Sequence, residues 1–479
     1  MRKNPPPMHI LVKYPCIVEQ DAPHFEHLFS PEGYRYFRRF LSGLLVSENK
    51  TLEAINRLFV LERRNQSSFN RFVNRQPFDM VALNRARVGL MQQTGATRFK
   101  SSSVDSGVLA LDDSLMRHYG KHFENIYHLY DHVRENYTFA HNLVSVHYSD
   151  DKTDYPVSHQ LWLPPDWEAV AIKMRQLGLH VNGGKWDKRF EAPRKWRQYM
   201  RERFKDCQFR APALQEVYKT KLFMGLDMLR QFRRDYPDLD LPVAMDGGYT
   251  GADLCRILDE ELQMAYVGSL ADYQKVELEG SEQITLADFK ERLLKQHREG
   301  KTRFFKTTVP YKGEKEIYHA YCATHRINGF SKRQRLVIAF KQQDLNDTPC
   351  FSISNRHHWF ASGILRVRRH RWPVETFHQE GKDEGLDKYQ LRNFEGIETH
   401  VAFVSTAYTM LKRAAHDDEL LSRFRLRLGI AEPLDTLPLL RRLSQLEGMM
   451  ALVEFVHLKA SHGQPVQAIL KQLLHTVAY

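Results

Sequence analysis

Two short apolar segments that end in carboxylates constrain the fold of this chain more than any other feature. Residues 107–114 (GVLALDDS) and 241–248 (LPVAMDGG) each have the pattern of a buried strand with aspartate at its end. The second segment leads through a glycine turn into a helical pattern, which is the rhythm of an α/β protein. Because α/β sheets place ligands at the carboxyl ends of their strands, Asp112, Asp113 and Asp246 are candidate functional residues.

Each of these aspartates leaves an alternative open. Asp246 precedes two glycines that let the backbone turn sharply, but it fits equally well as the N-cap of a helix that begins near Thr250. Asp112 and Asp113 are adjacent, so on a strand their side chains point to opposite faces and only one of them faces the same site as Asp246. A strand buried on both faces gives hydrophobic periodicity little power to choose between them.

A third acidic position lies in a predicted helix. Arg371, Glu375 and Lys382 are four and seven residues apart, which keeps them within about 60° of one helix face. Proline is best tolerated in a first turn, so Pro373 predicts that the helix begins near Trp372. Glu375 then falls in the first turn, with Lys382 two turns later on the same side. A salt-bridge ladder at these spacings is the alternative to a phosphate-handling site.

The charge balance favours a polyanionic partner. The chain has 70 Lys and Arg residues against 58 Asp and Glu residues, a formal charge of +12. Basic side chains that neutralise phosphates release counterions, although a solvated basic surface is the alternative. Five scattered cysteines without a C-x-x-C pair argue against a disulfide framework or a structural zinc site and make a reducing cytoplasm the default. No apolar run suits a membrane span, and the N-terminus resembles neither a signal peptide nor an anchor.

Carboxylates from three distant segments suit two divalent cations. Mg²⁺ prefers oxygen ligands and takes the rest of its shell from water and substrate phosphate. Two such ions can activate the attacking oxygen and stabilise the leaving oxygen in a displacement at phosphorus. The sequence contains no G-x-S-x-G motif, P-loop or dinucleotide fingerprint that would indicate a competing chemistry.

The N-terminal region is predicted to be helical. Apolar residues at helical spacing predict two helices between residues 34 and 61, and a third helix, capped by Ser67 or Ser68, carries Arg71 and Arg75. This layout fits a helix-turn-helix that reads a DNA groove. A helical hairpin that serves only for packing is the alternative.

Two basic clusters are candidate phosphate contacts. Residues 185–210 contain ten Lys and Arg residues against four acidic ones, with Lys185, Arg194 and Arg197 as candidate DNA contacts. The interleaved aromatic residues Trp186, Trp196 and Tyr199 suit a surface that tracks phosphates and stacks bases, and an amphipathic helix with a charged outer face is the alternative. The denser cluster, RVRRHR, lies beside Glu375 and is expected to hold the backbone of the scissile strand through Arg366, Arg368, Arg369 and Arg371. Residues 138–149 and 155–164 alternate in hydrophobicity and are predicted to form an antiparallel hairpin, with Asp150, Asp151 and Asp154 in its solvated loop.

The glutamate motif resembles that of the cut-and-paste DDE transposases of bacterial insertion sequences, the insertion-sequence-four-like superfamily marked by Y-x2-R-x3-E-x6-K. Arg371, Glu375 and Lys382 fit this spacing, and Trp372 follows the arginine as it commonly does in the family. Arg368 occupies the tyrosine position, which puts the contribution of that tyrosine in doubt.

The two aspartate segments resemble the remaining motifs of the same family. LALDDS is similar to the first-aspartate strand, and the alignment selects Asp113 because it directly precedes a small hydroxyl residue. VAMDGGY is similar to the second-aspartate strand and selects Asp246. The resemblance therefore implies a metal site made by Asp113, Asp246 and Glu375.

The resemblance implies an α/β, ribonuclease-H-like catalytic core interrupted by a β-containing insertion. It also implies an N-terminal helical DNA-binding domain and a helical C-terminal region. The expected boundaries are an N-terminal arm (1–25), the helical DNA-binding domain (26–104), the first part of the core (105–267), the insertion (268–346), the second part of the core (347–414) and the C-terminal helices (415–479).

The resemblance also implies a function. A homodimer would bind terminal inverted repeats, cleave double-stranded DNA with two Mg²⁺ or Mn²⁺ ions per site and join the 3′-hydroxyl to target DNA, in the bacterial cytoplasm at the nucleoid. Arg371, Lys382 and Trp372 would contact the DNA, and Trp359 and Trp372 are candidates to stack on a displaced base. The alternatives are a two-metal nuclease or resolvase on the same fold, or a domesticated regulator that binds DNA without cleaving it.

Overall fold

A mixed sheet, with twelve strands in the described part of the chain, organises the fold. The computed structural model describes residues 10–62, 64–101, 106–185, 190, 192–278, 281–428 and 436–478. The first nine residues of the predicted N-terminal arm lie outside the described residues, as does Trp186 of the basic segment.

The N-terminal region is helical, as predicted. Its helices are α1 (Cys16–Asp21), a 3-10 helix (Ala22–Leu28), α2 (Pro31–Val46), α3 (Leu52–Arg57), α4 (Gln66–Arg75) and α5 (Met80–Gln92). The cap predicted for α4 is wrong, because Asn65 caps this helix by accepting a hydrogen bond from the Ser68 N–H at 3.2 Å. A left-handed Gln76 ends α4 directly before Pro77.

Five strands form the centre of the sheet. They are β1 (Val108–His118), β3 (Asn136–Ser149), β4 (Asp154–Trp162), β5 (Val243–Met245) and β6 (Tyr266–Ser269), with the short β2 (Tyr127–Asp131) beside β3. The predicted antiparallel hairpin is confirmed in β3 and β4. Strand β1 is antiparallel to β3 and parallel to β5, which is parallel to β6.

The segment predicted to be an insertion extends the same sheet with antiparallel strands. It contains β7 (Lys275–Glu277), β8 (Gln283–Thr285), α10 (Leu286–Arg298), β9 (Phe305–Tyr311), β10 (Glu314–Ile327) and β11 (Gln334–Phe340). The strand β12 (Cys350–Ser354) joins β11 to β6, antiparallel to both. The domain boundaries themselves stay predictions.

The remaining helices follow β4, β5 and β12 in the chain. They are α6 (Trp167–Gln176), α7 (Pro193–Cys207), a 3-10 helix (Pro212–Glu216), α8 (Lys221–Asp235), α9 (Ala252–Glu260), α11 (Ala361–Arg369), α12 (Trp372–Asp383), α13 (Phe394–Ala414), α14 (Asp418–Leu428), α15 (Leu437–Ser461) and α16 (Val466–Ala478). One apolar core lies between the sheet and α8 to α10, and a second lies between the sheet and α11. A third core packs the N-terminal helices against α13, α14 and α15.

Candidate active site

The alternation of β1 separates its two aspartates. Leu109 and Leu111 pack in the core beneath α8 and α9, whereas Val108 packs in the core beneath α11. Since side chains alternate along a strand, Asp112 lies on the α11 face and Asp113 on the α8 face.

The register of the β1–β5 pair places Asp112 beside Asp246. Leu111 is paired with Met245 in the parallel ladder between β1 and β5, so the two aspartates occupy the next position on neighbouring strands. Ala244 packs in the core beneath α11, which places Asp246 on the same face as Asp112.

Helix α12 brings Glu375 to this face. The helix begins at Trp372 with Pro373 in its first turn, so Glu375 lies in the first turn and Lys382 in the last, as predicted. Arg371 precedes the helix and donates hydrogen bonds of 2.6 Å to both Asp112 Oδ2 and Glu375 Oε1. One guanidinium therefore joins the strand carboxylate to the helix carboxylate.

The loop after β5 fixes the Asp246 carboxylate. Its Oδ1 accepts hydrogen bonds from the N–H groups of Gly248 (3.0 Å) and Tyr249 (3.1 Å). Helix α9 begins at Ala252 with Gly251 at its N-cap, so the alternative that Asp246 caps this helix is wrong. Asp246 instead closes a turn over the two glycines, with one carboxylate oxygen held in place.

Electrostatics on the α11 face disfavour a further negative charge. Burial raises the pKa of Asp112 to about 7, and the negative charge of Asp246 adds to this while Arg371 opposes it. Several carboxylates that share a single guanidinium leave an excess of negative charge at this site. A bound cation would stabilise these carboxylates.

Asp113 has a different environment on the opposite face. Its Oδ2 accepts hydrogen bonds from Lys221 Nζ (2.8 Å) and Asn142 Nδ2 (2.7 Å), and its Oδ1 accepts one from the Tyr249 hydroxyl (2.9 Å). Burial would raise the pKa of Asp113, but these donors outweigh it and hold that pKa below its usual range. Asp113 as a metal ligand stays a prediction, and this geometry does not favour it.

The carboxylate oxygens at this site are chemically suited to bind a divalent cation. Carboxylates from β1, β5 and α12 are the hard ligands that Mg²⁺ prefers. Among the described residues, however, no group of three or more His, Cys, Asp or Glu side chains is arranged to hold a metal ion. Arg371 lies between Asp112 and Glu375 in this structure, so the two carboxylates are bridged by a guanidinium.

Lys382 and Trp372 lie near the carboxylates and are accessible to a substrate. Lys382 Nζ donates to Ser114 Oγ at 3.2 Å and, with Lys221 and Arg117, lines a cavity of about 340 Å³ beside Asp113. The Trp372 side chain is half exposed, whereas Trp359 packs against the core beneath α11.

The other arginines of the RVRRHR cluster face the protein. Arg366 is buried, and it donates to the Ser106 carbonyl (2.9 Å) and to Asp151 Oδ2 (3.0 Å). Arg369 donates to Glu316 at 2.8 Å, and Arg368 is half-buried on the same helix. This geometry does not favour Arg366 and Arg369 as DNA contacts.

The expected solvated loop between β3 and β4 is wrong. Asp150 and Asp154 are buried. Asp154 lies 3.1 Å from Lys412, 3.4 Å from Lys312 and 3.3 Å from His147, which ties the β3–β4 turn to α13 and to the β9–β10 turn. The residues of this loop are typical of an exposed turn, so no local pattern in the sequence predicts that the loop is buried or that Asp154 contacts these three residues.

The remaining candidate DNA contacts lie in a turn before α7, on α7 itself and on α4. Lys185 is 3.2 Å from Glu168, and Arg194 and Arg197 are exposed on α7. Arg71 and Arg75 are exposed on α4, where Arg71 also donates to Ser68 Oγ.

Sequence reasoning missed three residues that hold Asp113. Lys221 begins α8, Asn142 lies in β3 and Tyr249 follows the Asp246 turn. Tyr249 is the one with a sequence signal, since it belongs to the VAMDGGY segment. Lys221 and Asn142 are 108 and 29 residues from Asp113 in sequence, and no local pattern links them to it.

Comparison with known proteins decides the family. The model of the DDE superfamily endonuclease family matches residues 25–285, which is more than half of the chain. The chain belongs to this family. The transposase DDE domain model also matches this endonuclease, over residues 220–410, and no curated protein matches it.

Membership of the DDE family agrees with the fold and gives the class of activity. The mixed α/β sheet forms a ribonuclease-H-like core, and the endonuclease is a DNA-cleaving enzyme of the transposase type. Enzymes of these families generally use divalent metal ions. Within the described residues, no helix is long and apolar enough to cross a membrane.

Proposed function

We propose that this endonuclease is a cut-and-paste DNA transposase that binds terminal inverted repeats, and that Asp112, Asp246 and Glu375 hold two Mg²⁺ or Mn²⁺ ions in its active site. The supporting observation is that Asp112 and Asp246 are neighbours on one face of the sheet, where Arg371 joins Asp112 to Glu375. This ligand set replaces Asp113, which the resemblance alone favoured.

The residues around the carboxylates have separable roles in this proposal. When bound, the metal ions supply a nucleophilic oxygen and stabilise the leaving oxygen at phosphorus. The Asp246 turn holds its carboxylate through two backbone N–H groups. Arg371 orients Asp112 and Glu375 and offers a planar fork that suits phosphate. Lys382 and Trp372 lie where they can contact the scissile strand, Lys382 as a compact positive charge.

Recognition of the element ends is proposed for the N-terminal helices. Arg71 and Arg75 lie one turn apart on α4 and are exposed, while Phe69, Phe72 and Val73 of the same helix are buried. This arrangement presents one polar face of α4 to a DNA groove, as a recognition helix does.

A homodimer is proposed as the synaptic form. Leu446, Met449 and Val453 are exposed on α15 and fall within about 60° of one helix face. An exposed apolar row of this kind is typical of a protein–protein contact, and a second copy of the chain would bury it. The protein would then act at the nucleoid in the bacterial cytoplasm.

The test is a cleavage and joining reaction on linear DNA that carries the element's own ends, with Mg²⁺ or EDTA. Wild type is compared with Glu375→Gln and with Glu291→Gln, which removes an exposed carboxylate on α10. We expect cleavage and joining in Mg²⁺ for wild type and the α10 variant, and neither product in EDTA or with Glu375→Gln, because a metal ligand is lost.

Each other outcome assigns a different function. Cleavage without joining would identify a nuclease or resolvase. Tight binding of the ends without cleavage in Mg²⁺ or Mn²⁺ would identify a regulator and contradict the proposed metal site.

A further inference from the structure

A small helical module is inserted between β4 and α8. It comprises α6, α7 and the following 3-10 helix, and it has an apolar core of its own that includes Trp167, Val170, Trp196 and Phe204. This core is separate from the two that flank the sheet. The α6–α7 module is therefore a structural unit beside the catalytic core.

Helix α7 presents a continuous row of positive charge. Arg194, Arg197, Arg201 and Lys205 are all exposed and follow one another at spacings of three, four and four residues. At 100° and 1.5 Å per residue they fall within about 80° of one helix face over about 16 Å. The acidic residues Glu202 and Asp206 lie outside this arc. We call these four residues the cationic row.

The cationic row has no carboxylate partner in the described part of the chain, since none of its four residues takes part in an ion pair there. By contrast, the exposed Arg256 on α9 is paired with Glu260. Like charges four residues apart on a helix repel one another. A polyanion that runs along α7 would relieve this repulsion.

The chemistry of the row selects phosphates and not bases. Trp196 is 1 % exposed and belongs to the core of the module, and the Tyr199 hydroxyl accepts a hydrogen bond from the Asn182 N–H at 3.0 Å. The stacking surface that the sequence predicted for this segment is therefore wrong for Trp196, and Tyr199 is half-buried. In the described part of this segment the charges of the row are exposed and these two rings are not, which suits the backbone of duplex DNA, whose sequence the row does not read.

Strand β2 connects the row to the cavity that Lys382 lines. Arg197 lines a groove of about 220 Å³ with Tyr127, at the start of β2. Leu129 and Asp131 of the same strand line the cavity that also contains Asp113 and Lys382. A duplex that reaches Lys382 across β2 would therefore pass the cationic row.

We propose that the cationic row on α7 grips the phosphate backbone of duplex DNA beside the scissile position, independently of sequence. The inference rests on the proposed DNA substrate. It assigns the affinity for DNA outside the element ends to a module that takes no part in the chemistry.

The test measures how DNA binding depends on salt. The full chain with Arg194→Gln, Arg197→Gln, Arg201→Gln and Lys205→Gln is compared with wild type on a duplex of about 40 base pairs that lacks the element ends. Each lost phosphate contact lowers the slope of log K against log salt by about 0.9, so we expect the slope to fall by up to about 3.6.

A matched control removes the same amount of charge elsewhere. Arg256→Gln, Lys290→Gln, Arg292→Gln and Lys301→Gln also take the formal charge from +12 to +8 (12 − 4 = 8), but these four cations are ion-paired. We expect this control to keep the wild-type slope. If the fourfold variant of the row fails to fold, the pairs Arg194/Arg197 and Arg201/Lys205 are tested separately, each with half the change in slope.

The contrary outcomes are distinct. If the row variant keeps the wild-type slope of log K against log salt, or if the control variant loses as much slope, the proposed phosphate contact by the row is wrong. The proposed function still holds in that case, provided that the wild-type protein cleaves the element ends. Wild-type protein that binds no DNA overturns both proposals. Binding of single-stranded RNA in preference to duplex DNA would assign the row to another partner.

Discussion

Asp112 and Asp113 are neighbours on one strand, yet the protein treats them in opposite ways. Burial and the nearby Asp246 raise the pKa of Asp112 to about 7, whereas Lys221, Asn142 and Tyr249 hold the pKa of Asp113 below its usual range. Asp112 accepts one hydrogen bond from the Asp113 backbone N–H and one from the guanidinium that it shares with Glu375, whereas Asp113 accepts three from side chains, one of them a lysine.

The difference shows how the environment assigns a role to a carboxylate. A carboxylate that is held by a lysine and by two further side-chain donors stabilises the fold and has little to gain from a cation. One that is crowded by like charge stabilises the fold less and has more to gain from a cation. The first description fits Asp113 and the second fits Asp112.

The largest expected effect is on catalysis. Asp112→Asn should lower the rate of end cleavage by about a thousandfold or more, roughly 4 kcal/mol of barrier, because a metal ligand is lost. Asp113→Asn should stay within about tenfold of wild type, because its carboxylate only braces the neighbouring strands. The measurement is single-turnover cleavage in Mg²⁺.

Lys221→Met serves as the companion variant, since it breaks the Asp113 network from the other side and should behave like Asp113→Asn. If Asp113→Asn is inactive although folded, and Asp112→Asn cleaves, the ligand role returns to Asp113, as the sequence resemblance alone indicated.

A second expected effect extends the comparison to Asp154, a carboxylate surrounded by cations. Burial would raise the pKa of Asp154, but Lys412 and His147 hold it far below its usual range. Asp154→Asn should lower the free energy of unfolding by about 3 kcal/mol at pH 7, because Lys412 and Lys312 lose their carboxylate partner inside the fold. The measurement is urea unfolding between pH 3 and pH 8.

The sign of the pH dependence follows from the direction of that shift. The pKa of Asp154 is lower in the folded than in the unfolded chain, so its stabilisation is complete above the unfolded pKa of about 3.9 and is lost as the pH falls below it. The difference between wild type and Asp154→Asn should be constant from pH 5 to pH 8 and shrink below pH 4. A difference that grows in acid would show that Asp154 does not stabilise the fold as an anion.

The smallest expected effect is on stability at β1. Asp113→Asn should lower the free energy of unfolding by about 1 to 2 kcal/mol, because the charge-assisted hydrogen bond from Lys221 is lost. Asp112→Asn should leave it unchanged or raise it, because a carboxylate beside Asp246 is removed. Thermal melting in EDTA measures both. If Asp112→Asn lowers the free energy of unfolding more than Asp113→Asn does, the assignment of the stabilising role to Asp113 is wrong.

Rules that act within a few residues predicted much of the fold. Pro373 correctly indicated that α12 begins at Trp372, and apolar alternation correctly indicated the β3–β4 hairpin. The same rules failed for the cap of α4, where Asn65 lies just outside the serines that the pattern favoured. They also failed for Asp154, because burial of a turn depends on what packs over it.

The candidate site also has features that the sequence predicts within one element and features that depend on packing between elements. The spacing of Arg371, Glu375 and Lys382 is a property of one helix, so it was readable from the chain, and so was the position of Asp246 directly after a strand. The expectation that Asp112 and Asp113 end a strand is wrong, because β1 continues to His118 through its pairing with β3. Which aspartate of β1 faces Glu375 was not readable, because a strand buried on both faces lacks a polar side that would orient it. Contact between Arg371 and Asp112, which are 259 residues apart, made that choice. Local periodicity fixes where a side chain lies on its own element, and only packing between elements decides which charges it meets.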